Sequence, residues 1–241
     1  MIRLFHVSDV HFGAEDRDAV AWFDATVHAE QPDAIVMTGD LTMRARSEEF
    51  AAAAKWLEGL RRPVTVEVGN HDLPLFNLFA RLFRPYRRYL KLESVIEREL
   101  DLPGVTIVPM KTTTRFQLRN WSKGSVSPGS LRRAVGGVRA ADRAGLTIVA
   151  CHHPLIDAGT SATARTRRGA PALAALAAAG ADAVLSGHVH DPFDVRHDAG
   201  GRAIRLIGAG TLSSRTRDTR PGFNELRIAG RELQVIQRTL D

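Results

Sequence analysis

The chain has 241 residues, 44% hydrophobic and 25% charged, which is enough apolar mass for a substantial core, with one domain as the default. Its single cysteine, Cys151, excludes an intrachain disulfide and any cysteine-rich zinc or iron–sulfur site, while nine histidines and a formal charge of +6 direct attention to imidazole chemistry and anionic partners. The opening MIRLFHVSD reads as a strand running into acidic chemistry and not as a secretory leader; with no uncharged apolar stretch of about 18 residues, the expectation is a soluble cytoplasmic protein.

In chain order, residues 2–7 predict a strand closed by Ser8-Asp9. A helix follows over 16–30, with Val20, Phe23 and Val27 on one side, and Pro32 breaks it before a strand at 34–37. Phe50, Ala54, Leu57 and Leu60 recur at helical spacing over 47–60, and a third strand at 64–68 ends in Gly69-Asn70-His71-Asp72. Apolar and basic residues alternate through 74–92, with Pro85 dividing two short helices. Strands are expected at 105–109 and 112–121, a helix over 129–142, a strand at 146–150, a helix at 170–179 and a strand at 183–185. Four further runs, 193–197, 203–207, 223–228 and 233–239, read as strands forming a second sheet surface that is not a separable domain. Short β-branched runs alternating with amphipathic helices indicate an α/β fold.

Polar residues gather just after these strands: Asp9 and His11, Asp40, Asn70, His152, and His188 with His190. Loops beyond the carboxyl ends of strands line the crevice of an open α/β sheet, so distant positions can converge there. Carboxylate, imidazole and amide oxygen together suit first-row divalent metals, and the two oxygens of Asp40 suit a bridge between two ions. His188 and His190 alternate and so share a face. His6, His28 and His197 lie in no ligand motif, and His153 beside His152 suits a supporting or substrate-facing role. Cys151 reads as a small buried hydrophobe.

The segments DVH at 9–11, GD at 39–40, GNHD at 69–72, HH at 152–153 and GHVH at 187–190 resemble, in order, the motifs of the calcineurin-like metallophosphoesterase superfamily. The resemblance implies a four-layer αββα sandwich with two central mixed β-sheets, residues 1–241 forming one metallophosphoesterase domain with a helical cap at 74–93. It implies two divalent or mixed-valence transition-metal ions, manganese, iron or zinc. One is held by Asp9, His11, Asp40 and His190, the other by Asp40, Asn70, His152 and His188. It further implies direct attack of a metal-bridging hydroxide on phosphorus, with His71 contacting the scissile phosphate and assisting the leaving group, and Asp72 orienting His71.

The chain is similar in particular to small bacterial class III cyclic-nucleotide phosphodiesterases, which implies a small phosphodiester such as cyclic AMP as substrate. A phosphomonoester, a lipid-linked phosphoester or a nucleic acid is the alternative, the last not favoured because no added DNA-binding module is visible. A metal-binding scaffold is the non-enzymatic alternative. The basic residues 81, 84, 87, 88 and 91, interleaved with Leu82, Phe83, Tyr86, Tyr89 and Leu90, read as an ordinary amphipathic cap, an anionic-substrate lid or a peripheral membrane patch. Arg165, Arg167 and Arg168 offer a second anion-facing loop.

Overall fold

The computed structural model describes residues 1–98, 100–116, 120–164, 166–217 and 219–241. Strands and helices alternate at first: β1 (Ile2–Val7), α1 (Arg17–Glu30), β2 (Ala34–Met37), α2 (Ser47–Gly59) and β3 (Val64–Val66). Two short helices follow, α3 (Leu78–Phe83) and α4 (Arg87–Ile96), then β4 (Val105–Pro109), α5 (Pro128–Ala140), β5 (Leu146–Ala150), α6 (Gly169–Ala179) and β6 (Ala183–Ser186). Four strands complete the order: β7 (Phe193–Asp198), β8 (Ala203–Gly208), β9 (Gly222–Ala229) and β10 (Glu232–Thr239).

Local chemistry accounts for the element ends. The Asp16 carboxylate accepts from the backbone N–H groups of Asp18 at 3.0 Å and Ala19 at 3.1 Å, so α1 begins with two of its orphan donors satisfied. Ser127 caps α5 in the same manner, with Pro128 at the first turn where its missing N–H costs nothing. Pro85 lies between α3 and α4 and prevents one continuous helix.

Among the described residues the strands form two five-stranded sheets, β10-β9-β1-β2-β3 and β4-β5-β6-β8-β7. Both are mixed: β9 runs antiparallel to β1, and β7 antiparallel to β8, beside parallel neighbours. The period of two along each strand separates three apolar layers. Leu4, Ala34 and Val36 of the first sheet meet Ile148, Ala150 and Leu185 of the second between the sheets. Phe5, Val7, Ile35 and Met37, on the opposite face, pack with Phe23 and Val27 of α1 and Phe50 and Leu57 of α2. Val149 and Val184 pack with Ala134 and Val138 of α5 and Leu173 and Leu176 of α6. This is the four-layer αββα sandwich. Phe223 on β9 stacks 4.7 Å from Phe5 and edge-on 4.9 Å from Phe23, so truncating Phe23 to alanine costs about 3–5 kcal/mol.

Two expectations are corrected. The last four strands do not form one sheet surface: β7 and β8 extend the second sheet, and β9 and β10 extend the first. Alternation identifies a strand but not its partner, which long-range register decides. Residues 112–116 and 120–121 form no strand, and residues 117–119 of that expected run lie outside the described residues. The parallel strands β1, β2 and β3 end at one edge of their sheet, and β5 and β6 end at one edge of theirs, so the polar turns after them converge.

Candidate metal centre

The turns after β1 and β2 are zipped together. Asp9 N–H donates to the Gly39 carbonyl and His11 N–H to the Asp40 carbonyl, each at 3.0 Å. Asp9, His11, Asp40, His188 and His190 all adopt left-handed backbone, with φ between 52° and 72°. Non-glycine residues rarely take that conformation, and it recurs where a site over-determines its geometry. The turns also press close to one another: a Cβ at Gly69 would collide with the Asp40 carboxylate, and one at Gly187 with Ser8 and Asp9.

The histidine tautomers follow from their outer hydrogen bonds. Nδ1–H of His152 donates to the Thr38 carbonyl at 2.8 Å, that of His190 to the Arg215 carbonyl at 2.6 Å, and that of His11 to the Thr42 carbonyl at 3.4 Å. Each Nε2 therefore turns a lone pair inward. There it meets other acceptors: His11 Nε2 lies 3.2 Å from His190 Nε2, His190 Nε2 lies 3.0 Å from Asp9 Oδ1, and His152 Nε2 lies 3.1 Å from Asn70 Oδ1. Asp9 Oδ1 is buried with no hydrogen-bond donor. Converging acceptors with no donor between them are the environment a cation satisfies.

The electrostatics agree. Burial opposes a charge on His152, yet Asp40 overrides it and pushes the imidazole up to about 9, so the inward Nε2 lone pair takes up a proton wherever no other cation meets it. Burial likewise opposes ionisation of Asp40, and the His152 charge overrides it and holds the carboxyl well below its ordinary range. The constellation draws positive charge inward. Asp40 Oδ2 stands 3.7 Å from His11 Nε2 and 3.4 Å from His152 Nε2, between the group Asp9, His11, His190 and the group His152, His153, His188. These clusters of histidine and aspartate are consistent with two divalent metal ions.

All seven residues expected as ligands thus come together, and His71 joins them. His71 Nδ1–H donates to the Met43 carbonyl at 2.8 Å, leaving Nε2 facing Arg215 Nη1 at 3.1 Å. Asp72 does not hold that ring. Its carboxylate accepts from Thr42 N–H, Thr42 Oγ1–H and Gly69 N–H at 2.9–3.0 Å and so ties the second turn to the third. His153 has both ring nitrogens engaged, with Thr112 Oγ1 and the Ser122 carbonyl at 2.9 Å each. His6 bridges Thr38 and Asn224 between strands, and burial pushes its pKa down to about 3, so it is a neutral packing group. Burial raises the Cys151 thiol, which stays protonated at neutral pH.

A cavity of about 190 Å³ opens on the centre, lined by Asp40, Asn70, His71, His188 and His190 and by the cations Lys123, Arg215 and Arg217. A larger groove, about 830 Å³, lies elsewhere, against α2, α3 and α4. The basic runs singled out in the sequence do not line the smaller cavity: residues 81–91 and Arg167 and Arg168 lie outside its lining, and Arg165 lies outside the described residues.

Residues 2–192 match the family described as calcineurin-like phosphoesterase. The chain belongs to that family. Over 80 residues it is 32% identical to the glycerophosphodiester phosphodiesterase GpdQ of Enterobacter lignolyticus strain SCF1, a match spanning 29% of this chain and 29% of that relative. A dimetal phosphatase from Danio rerio shares its fold at a TM-score of 0.74 and 12% identity, covering 99% of this chain and 96% of that one. GAP50, described as the anchor in the inner membrane complex of Plasmodium, does so at 0.64 and 13%, covering 99% and 84%.

In this calcineurin-like phosphoesterase, sequence motifs miss Arg215. It lies in the turn region between β8 and β9, 25 residues beyond His190, in no motif. Its carbonyl fixes the His190 ring and its guanidinium faces His71. The available signal was its position after a strand parallel to β6, where any loop reaches the same edge as the other turns.

Proposed function

We propose that this chain is a metal-dependent phosphodiesterase acting on a small phosphodiester. The observation that carries the reading is Asp40, whose Oδ2 lies between two groups of inward lone pairs. Asp9, His11, Asp40 and His190 would hold one ion, and Asp40, Asn70, His152 and His188 the other, with manganese, iron or zinc the natural choices for such donors. Bound there, two ions would supply charge neutralisation for the phosphoryl group and an activated water.

The chain's own residues then bind and orient. Lys123, Arg215 and Arg217 draw the anion into the cavity. Arg215 Nη1, now spent on His71 Nε2, is placed to donate to a phosphoryl oxygen. Burial holds the His71 pKa below its ordinary value, and an entering phosphoryl anion opposes that shift. His71 then carries a proton on Nε2 beside the leaving oxygen while Met43 keeps the ring in place. The similarity to a glycerophosphodiester phosphodiesterase supports a diester substrate, with glycerophosphodiesters and cyclic nucleotides the first compounds to assay. Residues 1–241 act as one unit in this reading.

The test is hydrolysis of bis-p-nitrophenyl phosphate against p-nitrophenyl phosphate by metal-reconstituted protein, followed by cyclic nucleotides, glycerophosphodiesters and single-stranded DNA. Turnover of the diester is expected. Turnover of monoesters alone overturns the diester assignment, and metal uptake without hydrolysis points to a scaffold.

A further inference from the structure

Helix α3 is inside out. Leu78, Phe79, Leu82 and Phe83 are 41–71% exposed, while Arg81 is 2% exposed. Its guanidinium donates from Nε to the Arg115 carbonyl at 3.0 Å and from Nη1 to the Pro74 carbonyl at 3.2 Å, and sits 4.6 Å from the Trp121 ring centroid. A surface helix in water normally buries its apolar side chains and exposes its charges. Here the charge pins the helix down and the apolar side chains point away from the protein.

The inversion extends beyond one helix. Of the ten exposed large hydrophobic residues among those described, eight lie between 75 and 95: Leu75, Phe76, Leu78, Phe79, Leu82, Phe83, Leu90 and Val95. Scattered exposed apolar residues need no explanation, but a cluster marks an interaction surface. The same stretch concentrates the chain's charge. Residues 74–98 hold six basic side chains against two acidic ones, while the whole chain has a net charge of +6. Arg84, Arg87 and Lys91 are exposed and line the large groove together with Phe79 and Val95.

We propose that the face built by residues 75–95 is a docking surface for an anionic lipid bilayer. Phenylalanine and leucine side chains enter the headgroup boundary, and the basic residues beside them pair with lipid phosphates. Charge selects this occupant over a second copy of the chain. A two-fold contact sets each patch against itself, which brings the cationic residues of one copy against those of the other. An anionic bilayer complements them.

The experiment is co-sedimentation of the full chain with vesicles of phosphatidylcholine alone, or with about one third phosphatidylglycerol. Binding is expected only with the anionic lipid and falls as salt rises. Replacing Arg84, Arg87 and Lys91 together by glutamine is expected to weaken it about 100-fold, roughly five-fold per charge. The triple variant Phe76→Ser, Phe79→Ser, Phe83→Ser is expected to abolish binding while its circular dichroism and its hydrolysis of bis-p-nitrophenyl phosphate match the parent. Equal binding to both vesicles, or none to either, overturns the proposal. So does sedimentation equilibrium showing a dimer that the phenylalanine variant dissolves, because the face then belongs to a second copy.

Discussion

The metal centre and the 75–95 face are opposite solutions to placing polar and apolar groups. At the centre, carboxylates and imidazoles are buried, and backbone carbonyls fix the His11, His152 and His190 rings from behind. On the face, apolar side chains are exposed, and a buried arginine holds the helix from behind. The centre spends backbone strain at five left-handed residues to bring its donors together. The face shows no such strain: none of residues 75–95 takes a positive φ, and only the direction of its side chains is unusual. Buried polar convergence is a site for a small, highly charged ligand. Exposed apolar breadth is a site for a large, soft one.

The sharpest way to break this contrast is Asp40→Asn. Loss of the shared carboxylate is expected to lower both metal content, measured by elemental analysis, and turnover, by about 10³-fold or more. His71→Ala is expected to lower kcat about 10²-fold on a diester with a poor leaving group while metal content is retained. Retained turnover on that substrate would remove His71 from the mechanism. Arg215→Ala is expected to raise KM about ten-fold, because a charge-assisted hydrogen bond to the substrate is lost.

Glu67 lies at the seam between the two regions. Burial, then the Glu97 and Glu93 charges of the α4 segment, push its carboxyl well above the ordinary 4.5. The folded protein thus keeps a proton that the unfolded chain releases. The associated stability is complete below 4.5 and is lost as pH rises through the folded pKa. Glu67→Gln is therefore expected to raise the melting temperature at about pH 8 and leave it unchanged at about pH 4. The smallest effect is expected from Phe79→Ser, which removes a side chain 71% exposed and shifts stability by no more than about 0.5 kcal/mol in the absence of lipid.

Much of this architecture is legible in the sequence. Pro32 and Pro63 mark strand entries, and β2, β4 and β5 run over the residues that their apolar runs predict. The five motifs lie at strand ends, so convergence followed from topology alone. Three things were not legible. The split of the last four strands between two sheets depends on pairing β9 with β1 across more than two hundred residues. The role of Asp72 depends on which neighbours its carboxylate reaches, and these are Thr42 and Gly69 and not the adjacent His71. The cations of the cavity are Lys123 from one loop and Arg215 with Arg217 from another, whereas charge clustering pointed to residues 81–91 and to Arg167 and Arg168, which do not line it.

The pairing of β9 with β1 also bears on how the molecule is made. β1, the strand that leads into Asp9 and His11, lies between β2 and β9, so its far edge stays unpaired until Gly222–Ala229 has left the ribosome. Arg215, which orients His190, is made only shortly before. A nascent chain truncated after His190 therefore holds every proposed ligand and still lacks the strand that encloses them. Enclosure of these residues by the first sheet thus waits for a strand that follows the last of them in the chain.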